Sequence, residues 1–244
     1  MADIELSIVL PVFNGADILE WSLKWLQSWI IEKPYKVELI VVNDGSTDAT
    51  KNISENFLGT LDYYQFINFP ENRGKGFATK AGMRAASGKF VVFTDADLSY
   101  GVDIFDAMHQ CMRTDKNIQL LYGSRRHPQS KGYAGYTKLR RFSSLLFSNL
   151  VCFIVLPGVK DTQCGVKMFR KEFAALAAQK LTINHFAFDI ELFVIAKAHN
   201  LMFQDFPVAL SHREESSVRL ITDALFMIKD ICLMKINIWL GRYK

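Results

Sequence analysis

The chain has 244 residues, half of them apolar, and a formal net charge of only +4. These values are typical of a globular protein with a sizeable core. They argue against intrinsic disorder and, without a dense Lys/Arg block, against nucleic-acid binding. The four cysteines are widely spaced and form no C-x-x-C motif, which indicates reduced thiols of a cytoplasmic protein rather than disulfides or a zinc site. The sequence shows neither a signal-peptide pattern nor an apolar run of bilayer-spanning length.

Along the first half of the chain, short apolar runs alternate with helical patterns. Residues 6–13, 37–42 and 90–93 are apolar runs that predict strands buried on both faces, as in a parallel sheet. The alternation predicts the α/β class, with a right-handed, doubly wound, mostly parallel sheet and helices on both faces. Other patterns predict strands at 64–68, 118–122 and 201–210. Helices are predicted at 16–31, 77–86, 103–114 and 186–198, together with one that begins near 49 and a C-terminal one that ends near 240.

Polar side chains follow three of the predicted strands, at residues 11–14, 44–48 and 95–97. In a parallel sheet these loops lie along one edge and line a single cleft. Asp95 and Asp97 repel each other unless a cation lies beside them, and their oxygen ligands favour Mg²⁺ or Mn²⁺. The alternative is a strand end followed by a helix N-cap, with Asp97 or Ser99 as the capping residue. Dinucleotide-binding and P-loop sites are disfavoured because neither glycine-rich motif is found.

Six short motifs occur in order along the chain: Leu10-Pro-Val-Phe-Asn14, Val42-Asn-Asp-Gly-Ser-Thr-Asp48, Asn72-Arg-Gly-Lys-Gly76, Asp95-Ala-Asp-Leu-Ser99, Gly123-Ser-Arg125 and Asp161-Thr-Gln-Cys-Gly-Val-Lys167. Together they resemble the motif series of family-2 inverting glycosyltransferases, most closely the branch of dolichyl-phosphate glucosyl- and mannosyltransferases. The resemblance covers about residues 4–219. It implies a glycosyltransferase-A fold, a UDP- or GDP-hexose donor, and Mg²⁺ or Mn²⁺ as the cofactor.

The resemblance also implies which residues bind the donor nucleotide. Pro11, Asn14 and Asp44 match donor-binding motifs, with Pro11 and Asp44 expected at the base and the ribose. The chain departs from the family at Gly15, where Glu is common, and so lacks one carboxylate there.

Around the diphosphate, the resemblance implies a metal site and a nearby cation. Asp95 would lie near the ribose and the diphosphate–metal cluster, Asp97 would bind the metal, and both are candidate catalytic residues. Bound metal would neutralise the charge that grows on the leaving diphosphate. Lys75 would lie near the nucleotide, and its alternative is a solvated surface cation.

Basic residues in the second half are candidates for holding the acceptor. A polyprenyl phosphate brings a dianionic nucleophile, which needs positioning by positive charge more than it needs a general base. Arg125, Arg141 and Arg213 fit the phosphate-binding positions that the resemblance implies. Arg126 and Arg140 fit a basic rim without a ligand equally well.

Two further motifs bear on catalysis and on the sugar pocket. Asp189 and Glu191 are candidate catalytic residues that brace the arginines or accept a proton from a hydroxyl acceptor, and the alternative for each is a helix-surface salt bridge. Asp161 and Gln163 are implied to help close the sugar pocket. Cys164 is predicted to be a packed small residue rather than a nucleophile, because inverting transfer has no covalent intermediate.

Peripheral membrane contact is a further expectation. The apolar residues 142–156 follow the basic segment 138–141, a pattern that suits a lipid interface. The C-terminal helix combines apolar residues with Lys229 and Lys235, and its alternative is packing on its own domain or on a second subunit in a homo-oligomer. The chain lacks the membrane span found at either end of many relatives, which leaves the polyprenyl acceptor open.

The sequence thus predicts a metal-dependent inverting glycosyltransferase of one domain. It would move glucose or mannose to a polyprenyl phosphate, dolichyl or undecaprenyl, at the cytoplasmic membrane face. Residues of about 1–125 would bind the nucleotide sugar, 126–219 the acceptor, and 218–240 would form an amphipathic helix. The alternatives are a family-2 enzyme acting on a saccharide hydroxyl in surface polysaccharide synthesis, a non-catalytic nucleotide-sugar-binding module, and a nucleotidyltransferase, which the absence of a glycine-rich first loop disfavours.

Overall fold

The computed structural model of the chain describes residues 3–131, 156, 158–159, 161–210 and 222–244, the side chains of 222–226 and 228 excepted. The strands are β1 (Leu6–Val12), β2 (Val37–Asp44), β3 (Tyr64–Phe69), β4 (Phe90–Thr94), β5 (Ile118–Ser124), β6 (Val166–Arg170) and β7 (Met202–Pro207). The helices are α1 (Ala16–Ile31), α2 (Thr50–Asn56), α3 (Lys75–Ala85), α4 (Asp103–Thr114), α5 (Lys171–Lys180), α6 (Phe188–Ala198) and α7 (Thr222–Trp239).

In the described part of the chain, seven strands form one sheet in the order β3-β2-β1-β4-β6-β5-β7. Strand β6 runs antiparallel to both of its neighbours, and the other neighbouring strands are parallel. Because β2, β1 and β4 are parallel neighbours, their carboxyl ends reach the same edge of the sheet. The loops that carry the predicted donor and metal residues therefore lie side by side, as the sequence predicts.

Two hydrophobic cores cover the two faces of the sheet. Helices α1 and α4 pack on one face, where Leu23 and Phe105 are fully buried. Helices α3, α5, α6 and α7 pack on the other, where Phe173 and Phe193 are nearly or fully buried. Every residue of β1, β2 and β4 is buried, because both faces of these central strands are covered. This arrangement confirms the predicted α/β class with a mostly parallel sheet and helices on both faces.

The sequence analysis missed one strand and one helix. Strand β6 lies inside the 161–167 motif and its continuation, and it inserts between β4 and β5 as the antiparallel member of the sheet. Lys167 interrupts its apolar run, which hides the strand pattern. Helix α5 follows β6 directly. No helix among the described residues is both long enough and apolar enough to span a bilayer. The division of the chain into donor and acceptor halves stays a prediction.

Candidate active site at the carboxyl edge of the sheet

Two neighbouring loops are tied together at the ends of β1 and β2. The backbone N–H of Asn14 donates to Ser46 Oγ at 2.8 Å, and Asn14 Oδ1 accepts the Thr47 N–H at 2.8 Å. Asn14 is exposed and adopts a positive φ of 48°, a conformation that Asn tolerates better than most residues. Pro11 is buried in β1 opposite Val42. Both predicted donor-binding residues therefore lie on the expected edge of the sheet.

Asp44, at the end of β2, holds the start of α3. Its Oδ1 accepts the Arg73 N–H at 3.0 Å and its Oδ2 accepts the Gly74 N–H at 2.8 Å. Burial raises the pKa of this carboxyl, and the two hydrogen bonds oppose that shift. Gly74 has a φ of 104°, which favours glycine at this turn. A contact between Asp44 and the base or ribose stays a prediction.

Lys75, the first residue of α3, forms an ion pair with Asp95. Its Nζ lies 2.6 Å from Asp95 Oδ1, and both side chains are partly buried. Burial lowers the pKa of the Lys75 ammonium, but Asp95 and then Asp189 outweigh it, so the net shift is upward. The alternative of a solvated surface cation is therefore wrong. The geometry brings the 72–76 motif and the acidic pair together at one point.

Asp97 accepts two hydrogen bonds from Ser99, from its N–H at 3.0 Å and from its hydroxyl at 2.6 Å. The next helix, α4, begins only at Asp103, after Val102. Neither Asp97 nor Ser99 caps it, so the capping alternative is wrong. Asp97 is half-buried just beyond β4, in the loop where the sequence predicts a metal ligand.

Gly165 sets the space available to the Asp95 carboxylate. The backbone N–H of Asp95 donates to the Gly165 carbonyl at 3.1 Å, just beyond the antiparallel ladder of β4 and β6. A Cβ on Gly165 would lie 2.1 Å from Asp95 Oδ2, far inside contact distance. Only glycine therefore leaves room for the carboxylate in its present position. No local pattern predicts this contact, because the two residues are far apart along the chain.

A buried ion pair lies behind the acidic loop. Lys167 Nζ is 2.5 Å from Asp189 Oδ1 and donates to the Cys164 carbonyl at 2.8 Å. Burial raises the pKa of the Asp189 carboxyl, and Lys167 and then Lys75 oppose that shift. Asp189 thus braces a buried lysine rather than an arginine, and its burial rules out an exposed helix-surface salt bridge. A role as proton acceptor stays a prediction. Sequence reasoning missed Lys167, although a charged residue inside an apolar strand signals a buried partner.

Arg125 and Asp161 form a second buried pair, at the end of β5. Arg125 Nε and Nη2 donate to the two Asp161 oxygens at 2.9 Å each, and the Arg125 backbone N–H donates to Oδ2 at 2.9 Å. Burial raises the pKa of Asp161, but Arg125 outweighs it and the net shift is downward. The clamp fixes the guanidinium at the site edge, next to half-buried Gln163. Phosphate binding by Arg125 and closure of a sugar pocket by Asp161 and Gln163 stay predictions.

Cys164 is fully buried, which agrees with the prediction of a packed small residue. Burial raises the pKa of its thiol to about 12, so the thiolate form that a nucleophile requires is disfavoured.

Glu191 lies two residues after Asp189 in α6, about half a helical turn further on, and has a different environment. Its oxygens accept the N–H groups of Thr182 and Ile183, the Thr182 hydroxyl at 2.5 Å and the Tyr243 hydroxyl at 2.6 Å. Glu191 is completely buried, so the helix-surface salt bridge is wrong for this residue too. These contacts hold the 181–187 loop and the C-terminal turn, a structural role that sequence reasoning did not anticipate.

Some predicted acceptor residues lie outside the described part of the chain. Arg141, Arg213 and the alternative Arg140 belong to this group, as do residues 142–155 of the expected interfacial segment. Arg126 is half-buried beside Arg125. Of the three arginines predicted to bind the acceptor phosphate, Arg125 is the one within the described residues.

The acidic pair suits a metal ion shared with a diphosphate. Among the described residues, no group of three or more His, Cys, Asp and Glu side chains has the geometry to hold a metal alone. Magnesium-type ions commonly bind through one or two carboxylates together with substrate phosphates and waters. The ammonium 2.6 Å from Asp95 shows that a positive charge is accommodated there. The oxygen donors of Asp95 and Asp97 therefore fit such an ion.

Comparisons with known proteins agree with this geometry. The family model described as Glycosyl transferase family 2 matches residues 7–175. Dolichyl-phosphate beta-glucosyltransferases are similar over almost the whole chain. One from Trichomonas vaginalis is 28% identical, over 98% of this chain and 74% of its own length. The Saccharomyces cerevisiae protein is 27% identical, over 99% and 77%. The Homo sapiens protein is 27% identical, over 98% and 78%.

Solved structures of glucosyl-3-phosphoglycerate synthase from Mycobacterium tuberculosis share the fold. The complex with phosphoglyceric acid has a TM-score of 0.71 at 21% identity, covering 95% of this chain and 80% of that one. The complex with Mn²⁺, UDP-glucose and phosphoglyceric acid has a TM-score of 0.68 at 20% identity, covering 95% and 79%. The glycosyltransferase-A fold predicted from the motifs is thereby confirmed. The chain belongs to glycosyl transferase family 2 and is a glycosyltransferase.

Proposed function

We propose that this enzyme transfers a hexose from a nucleoside-diphosphate sugar to a polyprenyl phosphate, with inversion at the anomeric carbon. UDP-glucose is the favoured donor over GDP-mannose, because the curated relatives named above are glucosyltransferases. The cytoplasmic face of a membrane is the expected place of reaction. The observation that carries the proposal is the meeting of Lys75, Asp95 and Asp97 at the edge where the donor loops converge.

Asp95 and Asp97 would hold Mg²⁺ or Mn²⁺ against the donor diphosphate. When bound, this ion would withdraw electron density from the departing diphosphate. Lys75 would then exchange its contact with Asp95 for one with a phosphate oxygen and keep the cleft close to neutral. Lys75 thereby orients the leaving group, and Gly165 keeps the Asp95 carboxylate in place.

On the acceptor side, Arg125 supports a phosphate nucleophile. Asp161 holds its guanidinium rigidly, so little side-chain entropy is lost when an anion binds. A phosphate oxygen would attack the anomeric carbon while the bond from that carbon to the diphosphate oxygen breaks, its electron pair passing to the diphosphate. A phosphate dianion needs no general base. A hydroxyl acceptor does need one, and the two predicted candidates, Asp189 and Glu191, are buried and engaged.

The acceptor prediction is tested with a matched pair of lipids. Purified protein in detergent is given labelled UDP-glucose or GDP-mannose, Mn²⁺, and either a polyprenyl phosphate or the corresponding polyprenol. We expect transfer to the phosphate alone. Transfer to the polyprenol at an equal rate would contradict the proposal and favour the hydroxyl-acceptor alternative.

The metal prediction is tested at Asp97. Asp97→Asn should lower the transfer rate at least about 100-fold, because it removes a charged ligand from the ion that stabilises the leaving diphosphate. It should also abolish the additional rise in melting temperature that Mn²⁺ gives in the presence of UDP. Asp103→Asn is the matched control, since Asp103 is an exposed carboxylate at the start of α4. Full activity of Asp97→Asn would remove the metal assignment.

A further inference from the structure

Helix α7 presents two apolar faces, of which the described part of the chain buries only one. Met227, Ile231 and Met234 pack into the core at the first face. The opposite face carries a patch that we call the α7 apolar patch. It consists of Leu233, Ile236, Trp239 and Leu240, which are 38%, 53%, 85% and 48% exposed. A soluble amphipathic helix normally places polar residues on its outer face, so this arrangement indicates a surface that meets an apolar environment.

The α7 apolar patch is held on a fixed part of the molecule. The Tyr243 hydroxyl donates to Glu191 at 2.6 Å, and Arg242 Nη1 donates to Asn237 Oδ1 at 3.0 Å. Lys180 Nζ donates to the Lys244 carbonyl at 2.6 Å. The turn after α7 is therefore tied back to α5 and α6, and the patch is not on a free tail.

The exposed charges among the described side chains of α7 and the turn after it are all basic. Lys229, Lys235, Arg242 and Lys244 are all exposed. Asp230 is the one acidic residue among the described side chains from 227 onward, and it is only 8% exposed. A basic rim beside an exposed Trp is the composition of helices that lie in the interface of an anionic membrane. A dimer formed through this face would be disfavoured, because it would bring the basic residues of the two copies together.

We propose that the α7 apolar patch docks on the surface of a lipid bilayer that carries anionic headgroups. The helix would lie in the interface with Ile236 and Trp239 among the acyl chains and its lysines on the phosphates. The inference extends the proposed function, in which a lipid phosphate is the acceptor, by naming the surface that meets the membrane.

A continuous set of contacts connects this helix to the active site. Glu191 binds Tyr243 and also the N–H groups at the start of the 181–187 loop. Further along that loop, the Asn184 carbonyl accepts the Phe77 N–H at 3.1 Å, within the first turn of α3. Lys75 is the first residue of the same helix. Docking through α7 would therefore hold the donor site at a fixed orientation to the bilayer.

The test measures vesicle binding without any substrate. The full chain is sedimented with phosphatidylcholine vesicles that contain or lack phosphatidylglycerol, and neither polyprenyl phosphate nor donor is added. We expect binding to the anionic vesicles that weakens with added salt, and a blue shift of tryptophan emission that Trp239→Ala reduces. Ile236→Asp should lower the partition coefficient about tenfold or more, since it withdraws an apolar side chain and adds a negative charge.

Ile31→Asp is the matched control, because Ile31 is 69% exposed at the end of α1, which packs on the opposite face of the sheet. It should bind vesicles as the wild type does, and all variants should keep the wild-type melting temperature. Absence of vesicle binding by the wild type, or equal binding by Ile236→Asp, would overturn the proposal. A wild-type dimer in lipid-free solution that Ile236→Asp dissociates would also overturn it and assign the face to a second copy. Transfer activity in detergent would stand in any of these cases, so the two proposals fail separately.

Discussion

Gly165 lies directly against the carboxylate of Asp95, the candidate metal ligand. Gly165→Ala would place a methyl group 2.1 Å from Asp95 Oδ2, so the carboxylate must move. We expect a loss of stability of about 1–3 kcal/mol from overpacking. We also expect a specific loss of the Mn²⁺-dependent part of the melting-temperature shift given by UDP.

Gly82→Ala is the control for this prediction. Its Cβ would lie 2.3 Å from Val9 Cγ1, a similar overlap, but inside the core between α3 and β1. This variant should lose stability and retain the full response to Mn²⁺ with UDP. If both variants keep that response, Gly165 does not position the metal ligand.

Residue by residue, the motifs located charged side chains of the candidate site better than they predicted what those side chains contact. Lys75 and Asp95, both expected near the donor diphosphate, do lie together. The partners of Asp189 and Glu191 were not predictable, because they depend on how β6, α6 and the C-terminal turn pack. Side chains that meet through tertiary packing leave no local pattern in the sequence.

Between elements, the Arg125–Asp161 clamp joins the end of β5 to the segment that leads into β6. Burial raises the pKa of Asp161, but the lowering by Arg125 is larger. The folded-state pKa therefore lies below the unfolded value of about 3.9. The contribution of the pair is therefore complete above that unfolded value. It is lost as the pH falls through the lowered folded-state pKa.

Asp161→Asn tests this linkage. It should lower the free energy of unfolding by about 3 kcal/mol at pH 7, because it leaves a buried guanidinium without its counter-charge. The difference from the wild type should shrink as the pH falls below about 4. Urea unfolding at several pH values measures it. A difference that is independent of pH would show that the clamp acts through packing rather than through charge.

The strands and helices themselves were largely predictable, because apolar runs and helical spacing are local signals. Helix α1 matches the predicted 16–31 and α4 the predicted 103–114. Strand β6 was missed for a physical reason, since Lys167 breaks its apolar pattern and is neutralised only by a residue 22 positions away. That pairing with Asp189 is what allows a lysine inside a fully buried stretch of the strand.

Across the whole molecule, protection from solvent is greatest at the centre of the sheet. Strands β1, β2 and β4 are buried throughout, whereas edge strands β3 and β7 are mostly half-buried. Native-state hydrogen exchange should therefore be slowest in β1 and β4 and faster by orders of magnitude in β3 and β7, because the edges open in smaller fluctuations. Equal protection across the sheet would indicate that it opens as one cooperative unit.

The antiparallel course of β6 also affects how the specificity of this enzyme can change. Strand β5 ends at the edge where the donor residues lie, and β6, running the other way, begins at that same edge. The chain therefore leaves the sheet after Ser124 and returns to it at Val166 on the same edge. A substitution or length change confined to 126–160 leaves the strand pairing and the Arg125–Asp161 pair in place. A chimera that takes only 126–160 from a relative with another acceptor is a direct way to ask which residues choose the acceptor.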